Sequence, residues 1–197
     1  MRYKKTPQIL YYFLMNKATG EVCSTVSDRR KTVYSHFPTE FLVDSNGAKL
    51  HTVGRLDADT TGLLLFTNDG KLSDFLTRPQ NKIEKTYLVT LKNKVSDLEK
   101  NEYSKKISSG LIIPAEKKSL AQKTAPAHLE WLTDSLCKIT VTEGKFHEVK
   151  RIFLALDNQV LMLKRIKMAT LELDVSLKEG QWRALTENEL CSLKKLY

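Results

Sequence analysis

The feature that most constrains this 197-residue chain is the uninterrupted run Gly62-Leu-Leu-Leu-Phe-Thr67, entered from a polar turn and ended by Asn68-Asp-Gly70. A short apolar stretch closed by a turn signal reads as a buried strand. Such a strand needs partners. Residues 9–15, 85–91, 129–132, 136–141, 160–168 and 171–175 supply them, being rich in β-branched, aromatic and aliphatic side chains. Helices are expected at 71–78, stopped by Pro79, and from the capping box Ser96-Asp-Leu-Glu99 toward Ile107, ended by Gly110. Val149, Ile152, Phe153 and Leu156 recur at helical spacing, and Thr186-Glu-Asn-Glu189 is a second capping box opening a C-terminal helix. A short helix is expected at 31–37 before Pro38, and the polar, basic residues 115–127 read as a loop or edge segment. Most strands adjoin by turns and βαβ alternation is missing. The fold class is therefore α+β, a largely antiparallel mixed sheet with flanking helices. The length suits one domain over residues 1–197, with room for two subdomains sharing one sheet.

Charge selects the partner. Lys+Arg 32 against Asp+Glu 23 gives +9, so the field of the molecule attracts polyanions, nucleic acid first. Cys23, Cys137 and Cys191 are odd in number, far apart and without a C-x-x-C pair, which argues against a disulfide framework or a cysteine zinc site and fits a reducing cytoplasm. Arg2, Lys4 and Lys5 precede the apolar run 9–15 in the order of a secretory signal. That run is short and tyrosine-rich, however, and leads into Asn16-Lys17 without a small-x-small cleavage site. No stretch approaches the roughly 20 apolar residues of a transmembrane helix, so a membrane is not an expected partner.

The densest chemistry lies in Gly54-Arg-Leu-Asp57-Ala-Asp-Thr-Thr-Gly62. As a calcium loop it places Asp57, Asp59, Thr61 and Gly62 correctly, but its twelfth position is Asn68 instead of a bidentate Glu and leucines fill its middle. As a D-x-D-x-T motif it is similar to haloacid-dehalogenase-type phosphatases, although Gly54-Arg55 interrupt the strand that should precede the nucleophile. The bland alternative is a polar turn capped by Asp57. His36, His51, His128 and His147 share no metal-ligand spacing, and no metal site is expected.

A longer pattern contains this one. Gly54-Arg-Leu-Asp57-x-Asp-Thr-x-Gly-Leu-Leu-Leu-x-Thr-Asn-Asp-Gly70 resembles the signature of bacterial rRNA pseudouridine synthases of the RsuA/RluB/RluE/RluF family. Asn16-Lys17-x-x-Gly20, Lys85-Thr-Tyr87-Leu-Val89, Glu143-Gly-Lys-Phe-His-Glu-Val-Lys-Arg-Ile-Phe153, Leu163-Lys-Arg165 and Gly180-Gln-Trp-Arg183 follow the family's order, so the resemblance covers nearly the whole chain. It implies the pseudouridine synthase catalytic fold. It also implies that Asp57 is the catalytic aspartate, that Tyr87 stacks on the target uracil, and that Lys150, or second Arg151, pairs with the aspartate. Arg55, Lys17, Lys85, Lys145 and Arg165 are the expected RNA-binding residues, and the partner is ribosomal RNA, structured or in a ribosome-assembly intermediate. The expected state is a monomer, and the isomerisation needs no cofactor.

Two departures from the family pattern, Ala18 in place of proline and Lys167-Met-Ala-Thr170 without its glycine, lie away from the proposed chemistry. Many members carry a small RNA-binding domain ahead of the catalytic one; only about fifteen residues precede Asn16-Lys17 and no such separate domain is seen in them, so either the catalytic domain works without it or it lies outside this sequence. Lys145, Lys150 and Arg151 fall near the start of the helix expected from Phe146 or His147, where the helix dipole disfavours cations and an anionic partner would remove the conflict. A solvated basic face is the structural alternative for them, and a half-buried strand aromatic for Tyr87. The competing functions are a non-catalytic RNA-binding module and a Mg-dependent phosphatase. A pure binding module gains nothing from a carboxylate that repels phosphate, so the motif favours catalysis.

Overall fold

The computed structural model describes residues 9–27, 29–43, 46–117 and 119–197. Arg2, Lys4 and Lys5, and Lys118 within the 115–127 segment, lie outside the described residues. The chain divides into two units, Met1–Thr77 with Leu173–Tyr197, and Arg78–Glu172. The first contains β1 (Tyr12–Lys17), a 3-10 turn at Val33–His36, α1 (Thr39–Leu42), β2 (His51–Thr52), β3 (Thr60–Thr67) and α2 (Gly70–Thr77). The second contains β4 (Lys85–Leu91), α3 (Asp97–Ser109), β5 (Ile112–Ile113), β6 (Gln122–Lys123), β7 (His128–Trp131) and β8 (Leu136–Val141). It continues with α4 (Glu148–Leu154), β9 (Val160–Met168) and β10 (Leu171–Glu172). The chain then returns to the first unit with β11 (Trp182–Ala184) and α5 (Glu187–Lys194).

In the first unit β1 pairs antiparallel with β3 along its whole length, from Tyr12 opposite Thr67 to Lys17 opposite Gly62, and with β11 on its other edge. Leu63, Leu64, Leu65 and Phe66 are all 0% exposed, so both faces of β3 are covered, which is why its sequence shows no polar alternation. Aromatic rings fill one layer: Phe37 stacks on Trp182 at 4.6 Å and packs against Phe66 at 4.7 Å. Thr186 caps α5 in a reciprocal box with Glu189, whose carboxylate also accepts two 2.8 Å bonds from Arg183.

The second unit carries an antiparallel sheet in the order β9-β4-β8-β7, with β10 on β9. Val89, Leu91, Ile139 and Val141 from its strands meet Val149, Ile152 and Phe153 of α4 and Tyr103 and Ile107 of α3 in one apolar cluster. The α+β class with a mostly antiparallel sheet is thus the observed one. Three local readings change. The 115–127 segment is the arm of a small hairpin, β5 pairing with β6. The helix expected at 31–37 is a single 3-10 turn, and β11 was not foreseen because three residues carry no periodicity.

Gly110 closes α3 with φ 72°, and a Cβ there would lie 2.4 Å from the Thr124 carbonyl oxygen. Gly110→Ala should therefore lose about 2 kcal/mol of stability in urea unfolding, from the left-handed backbone and the collision together. An unchanged midpoint would contradict this account of the turn.

Candidate active site

Asp57 is half-buried in the turn that leads into β3, and Thr60 N–H closes that turn on the Asp57 carbonyl at 3.1 Å. Gly54, at φ 70°, starts the turn, while the buried side chains of Val53 and Leu56 anchor it from inside. Beneath it lies Lys17. Its ammonium is 0% exposed and donates to the carbonyls of Ala18 (2.9 Å), Ala58 (3.3 Å) and Thr60 (2.9 Å). Burial pushes its pKa down, opposed by the charges of Cys23, Glu21, Asp59 and Asp57. Gly20 N–H donates to the Ala58 carbonyl at 2.7 Å, so the Asn16-Lys17-x-x-Gly20 motif wraps the far side of the Asp57 turn. Lys17 was expected on RNA. The structure corrects this, because a fully covered ammonium saturated by three carbonyls has no donor left for phosphate. Arg55 and Asp59 are exposed.

In the second unit Tyr87 lies on β4 opposite Ile139 on one side and Arg165 on the other. The pairing with β9 slips by one residue between Thr86 and Tyr87. This irregularity sets Arg165, 2% exposed, across from the tyrosine. Lys85, two residues earlier, donates to the Ile83 carbonyl at 2.8 Å. Burial and the nearby Arg165 charge push its ammonium down to about 8 against the pull of Glu148.

The adjacent cations Lys150 and Arg151 part company on α4. Lys150 is half-buried, whereas Arg151 is 1% exposed. The Arg151 guanidinium donates from Nε to the Pro114 carbonyl (2.8 Å), from Nη1 to Phe146 (3.0 Å) and from Nη2 to Leu120 (2.8 Å). It ties the hairpin to the entrance of α4. Lys145 is paired with Glu143, and its backbone N–H donates to Glu148 at 3.2 Å.

Glu143 and Glu148 form a cluster that sequence reasoning missed. Burial drives the Glu148 carboxyl up to about 8, helped by its hydrogen bond to Glu143 and that neighbour's charge. Burial works against the charge of Glu143 too, but hydrogen bonds from Glu148, Lys145 and the Ala125 N–H outweigh it and hold this carboxyl low. One proton shared by two acids was readable only as a faint signal, two glutamates flanking a Gly-Lys turn. Among the described residues no cluster of His, Cys, Asp or Glu is arranged to hold a metal, and no helix is long and apolar enough to cross a membrane.

Residues 11–155 match the RNA pseudouridylate synthase family. The chain is 42% identical to the ribosomal small subunit pseudouridine synthase A of Haemophilus influenzae over 93% of its own length and 74% of the relative's. For the protein of that name from Escherichia coli K12 the figures are 41%, 92% and 73%. A solved pseudouridylate synthase superposes with a TM-score of 0.82 at 42% identity, covering 95% of this chain and 75% of that one. The chain belongs to the RNA pseudouridylate synthase family. Within it, it is an rRNA pseudouridine synthase, an isomerase.

Two measurements probe the buried groups. Lys17→Met should cost about 3 kcal/mol in urea unfolding, since three carbonyls lose a charged donor, and should lower turnover far more than RNA affinity. Loss of affinity at unchanged stability would restore Lys17 to the RNA surface. For Glu148 the folded pKa of about 8 lies above the usual 4.5, so its proton stabilises the fold fully below about 4.5 and that stability is lost as pH rises through 8. Lys85, with its folded pKa lowered, acts only above about 8, adding stability as pH rises toward 10.5. Thermal melts of Glu148→Gln, which keeps the hydrogen bond without titrating, should be flatter than those of the parent between pH 5 and 8. Parallel slopes would contradict the shared proton.

Proposed function

We propose that this chain converts a uridine of small-subunit ribosomal RNA to pseudouridine, with Asp57 as the catalytic carboxylate, acting as a monomeric single catalytic domain in the cytoplasm without a cofactor. The observation that carries the substrate is the 42% identity, over 93% of the chain, to a relative named for the small ribosomal subunit. The cytoplasmic reading is supported by three cysteines that stay as free thiols, Cys137 buried and Cys191 exposed.

The reaction breaks the N1 to C1′ bond, turns the base and joins C5 to C1′; the C5 proton leaves and N1 is protonated. A nucleotide stacked in structured RNA must first be flipped out. The family motif assigns Asp57 to the reacting sugar and base, Tyr87 to the platform under the uracil, and Lys150 to the cation that favours the ionised carboxylate. Lys150 suits that role better than Arg151, whose donors are consumed by backbone carbonyls. Arg55, exposed two residues before Asp57, supports RNA, and Lys145 and Lys85 add positive potential beside α4 and β4. Arg165, buried opposite Tyr87, supports the platform from inside instead of reaching phosphate.

Asp57→Asn keeps shape and polarity but removes the charge. Tritium release from small-subunit rRNA labelled at uracil C5 should disappear, while RNA binding should match or slightly exceed the parent's. Asp59→Asn, altering an exposed side chain, should remain active. An active Asp57→Asn protein would sink the assignment, and loss of binding in parallel would point to a collapsed turn.

A further inference from the structure

Phe146 is 40% exposed at the entrance of α4, next to His147, which has a left-handed backbone (φ 48°). The two rings stack at 3.8 Å with 19° between their planes. His147 Nδ1 lies 2.8 Å from Glu116 Oε1, to which it donates, so the imidazole is locked behind the phenyl ring from the hairpin side. Arg151 binds the carbonyls of Pro114, Leu120 and Phe146 at one point, fixing the aromatic pair against that same hairpin. The ammonium of Lys117 stands 5.8 Å from the Phe146 centroid, close to the outer limit of about 6 Å for a cation–π contact. So loose a contact is easily exchanged.

An exposed phenyl ring with a stacked backing and a buried arginine holding its backbone is a preorganised flat surface. The 112–123 segment is basic in sequence, with Lys117, Lys118 and Lys123 against a single acid, Glu116, and that acid is turned to His147. Lys117 and Lys123 are exposed. A flat aromatic beside exposed cations suits one occupant, a nucleobase with its phosphates.

We propose that the Phe146 ring, backed by His147 and held beside the 112–123 hairpin by Arg151, is a stacking site for an unpaired base of the substrate RNA, with Lys117 and Lys123 taking adjoining phosphates. This rests on the rRNA-modifying reading and adds a contact four residues before Lys150. On binding, the base takes the open side of the ring and Lys117 swings from the ring to the backbone.

Filter binding of transcribed small-subunit rRNA to the full chain tests the site. Phe146→Ala should weaken binding about 10-fold at fixed salt, Phe146→Trp should restore it to within about twofold, and Lys117→Gln should lower the salt slope by about one. RNA should quench the tryptophan emission that Phe146→Trp adds to that of Trp131 and Trp182. Melting of Phe146→Ala should stay within a few degrees of the parent, because the ring is on the surface. Parent-like RNA binding by Phe146→Ala, as expected if a protein or a second copy of the chain covers this face, would overturn the inference, as would equal losses in Ala and Trp. If the parent binds rRNA but forms no pseudouridine, the enzymatic reading fails while the binding comparison still decides the stacking site. If the parent is active and the variants bind alike, the stacking site fails alone.

Discussion

Everything at the Asp57 turn depends on one buried ammonium. Lys17 ends β1 opposite Gly62, and from there it reaches the carbonyls of Ala58 and Thr60 on either side of the turn's last residues. A charge with no solvent exposure is tolerated only when its donors are filled, and here all three are, by the backbone oxygens of Ala18, Ala58 and Thr60. The strand register therefore fixes the loop: β1 and β3 align along six residues, and the last pair delivers the lysine beneath the carboxylate-bearing turn. A carboxylate whose backbone is held this way needs little ordering when a ligand binds, which is the preorganisation that chemistry at a fixed geometry requires.

The second unit repeats the device with Arg151, whose three carbonyl bonds bind hairpin and helix entrance together. The net charge of +9 is consequently not all available to RNA, since Lys17, Arg151 and Arg165 are inside. The surface charge is carried by exposed cations, Arg55, Lys117 and Lys123 among them, and the buried ones give shape.

The sequence was most legible where one local rule decided the outcome. Both capping boxes form with the bonds their spacing demands, and the apolar run 62–67 lies in a strand covered on both faces. Legibility failed where tertiary contacts choose. Nothing in Lys17 or Arg151 as letters distinguishes a solvated cation from an internal staple, since the difference lies in carbonyls contributed by residues 31 to 43 positions away. The β5–β6 hairpin has only two residues in each strand and no alternation to read, and Glu148 declares its raised pKa only once burial brings Glu143 beside it.

These two acids and Lys85 also bear on how the second unit holds its charge. Glu148 is driven up and Lys85 down, each to about 8, and the charge of Glu148 works against the fall of Lys85. When Glu148 loses its proton, the new carboxylate favours the ammonium form of Lys85, and when Lys85 is neutral, Glu148 more readily keeps its proton. Because both groups hold their protons below about 8, the pair carries one positive charge there, on Lys85, and loses it as the pH rises through that value. The positive potential around β4 and the start of α4 is therefore strongest below about pH 8 and weakens as these two buried groups lose their protons.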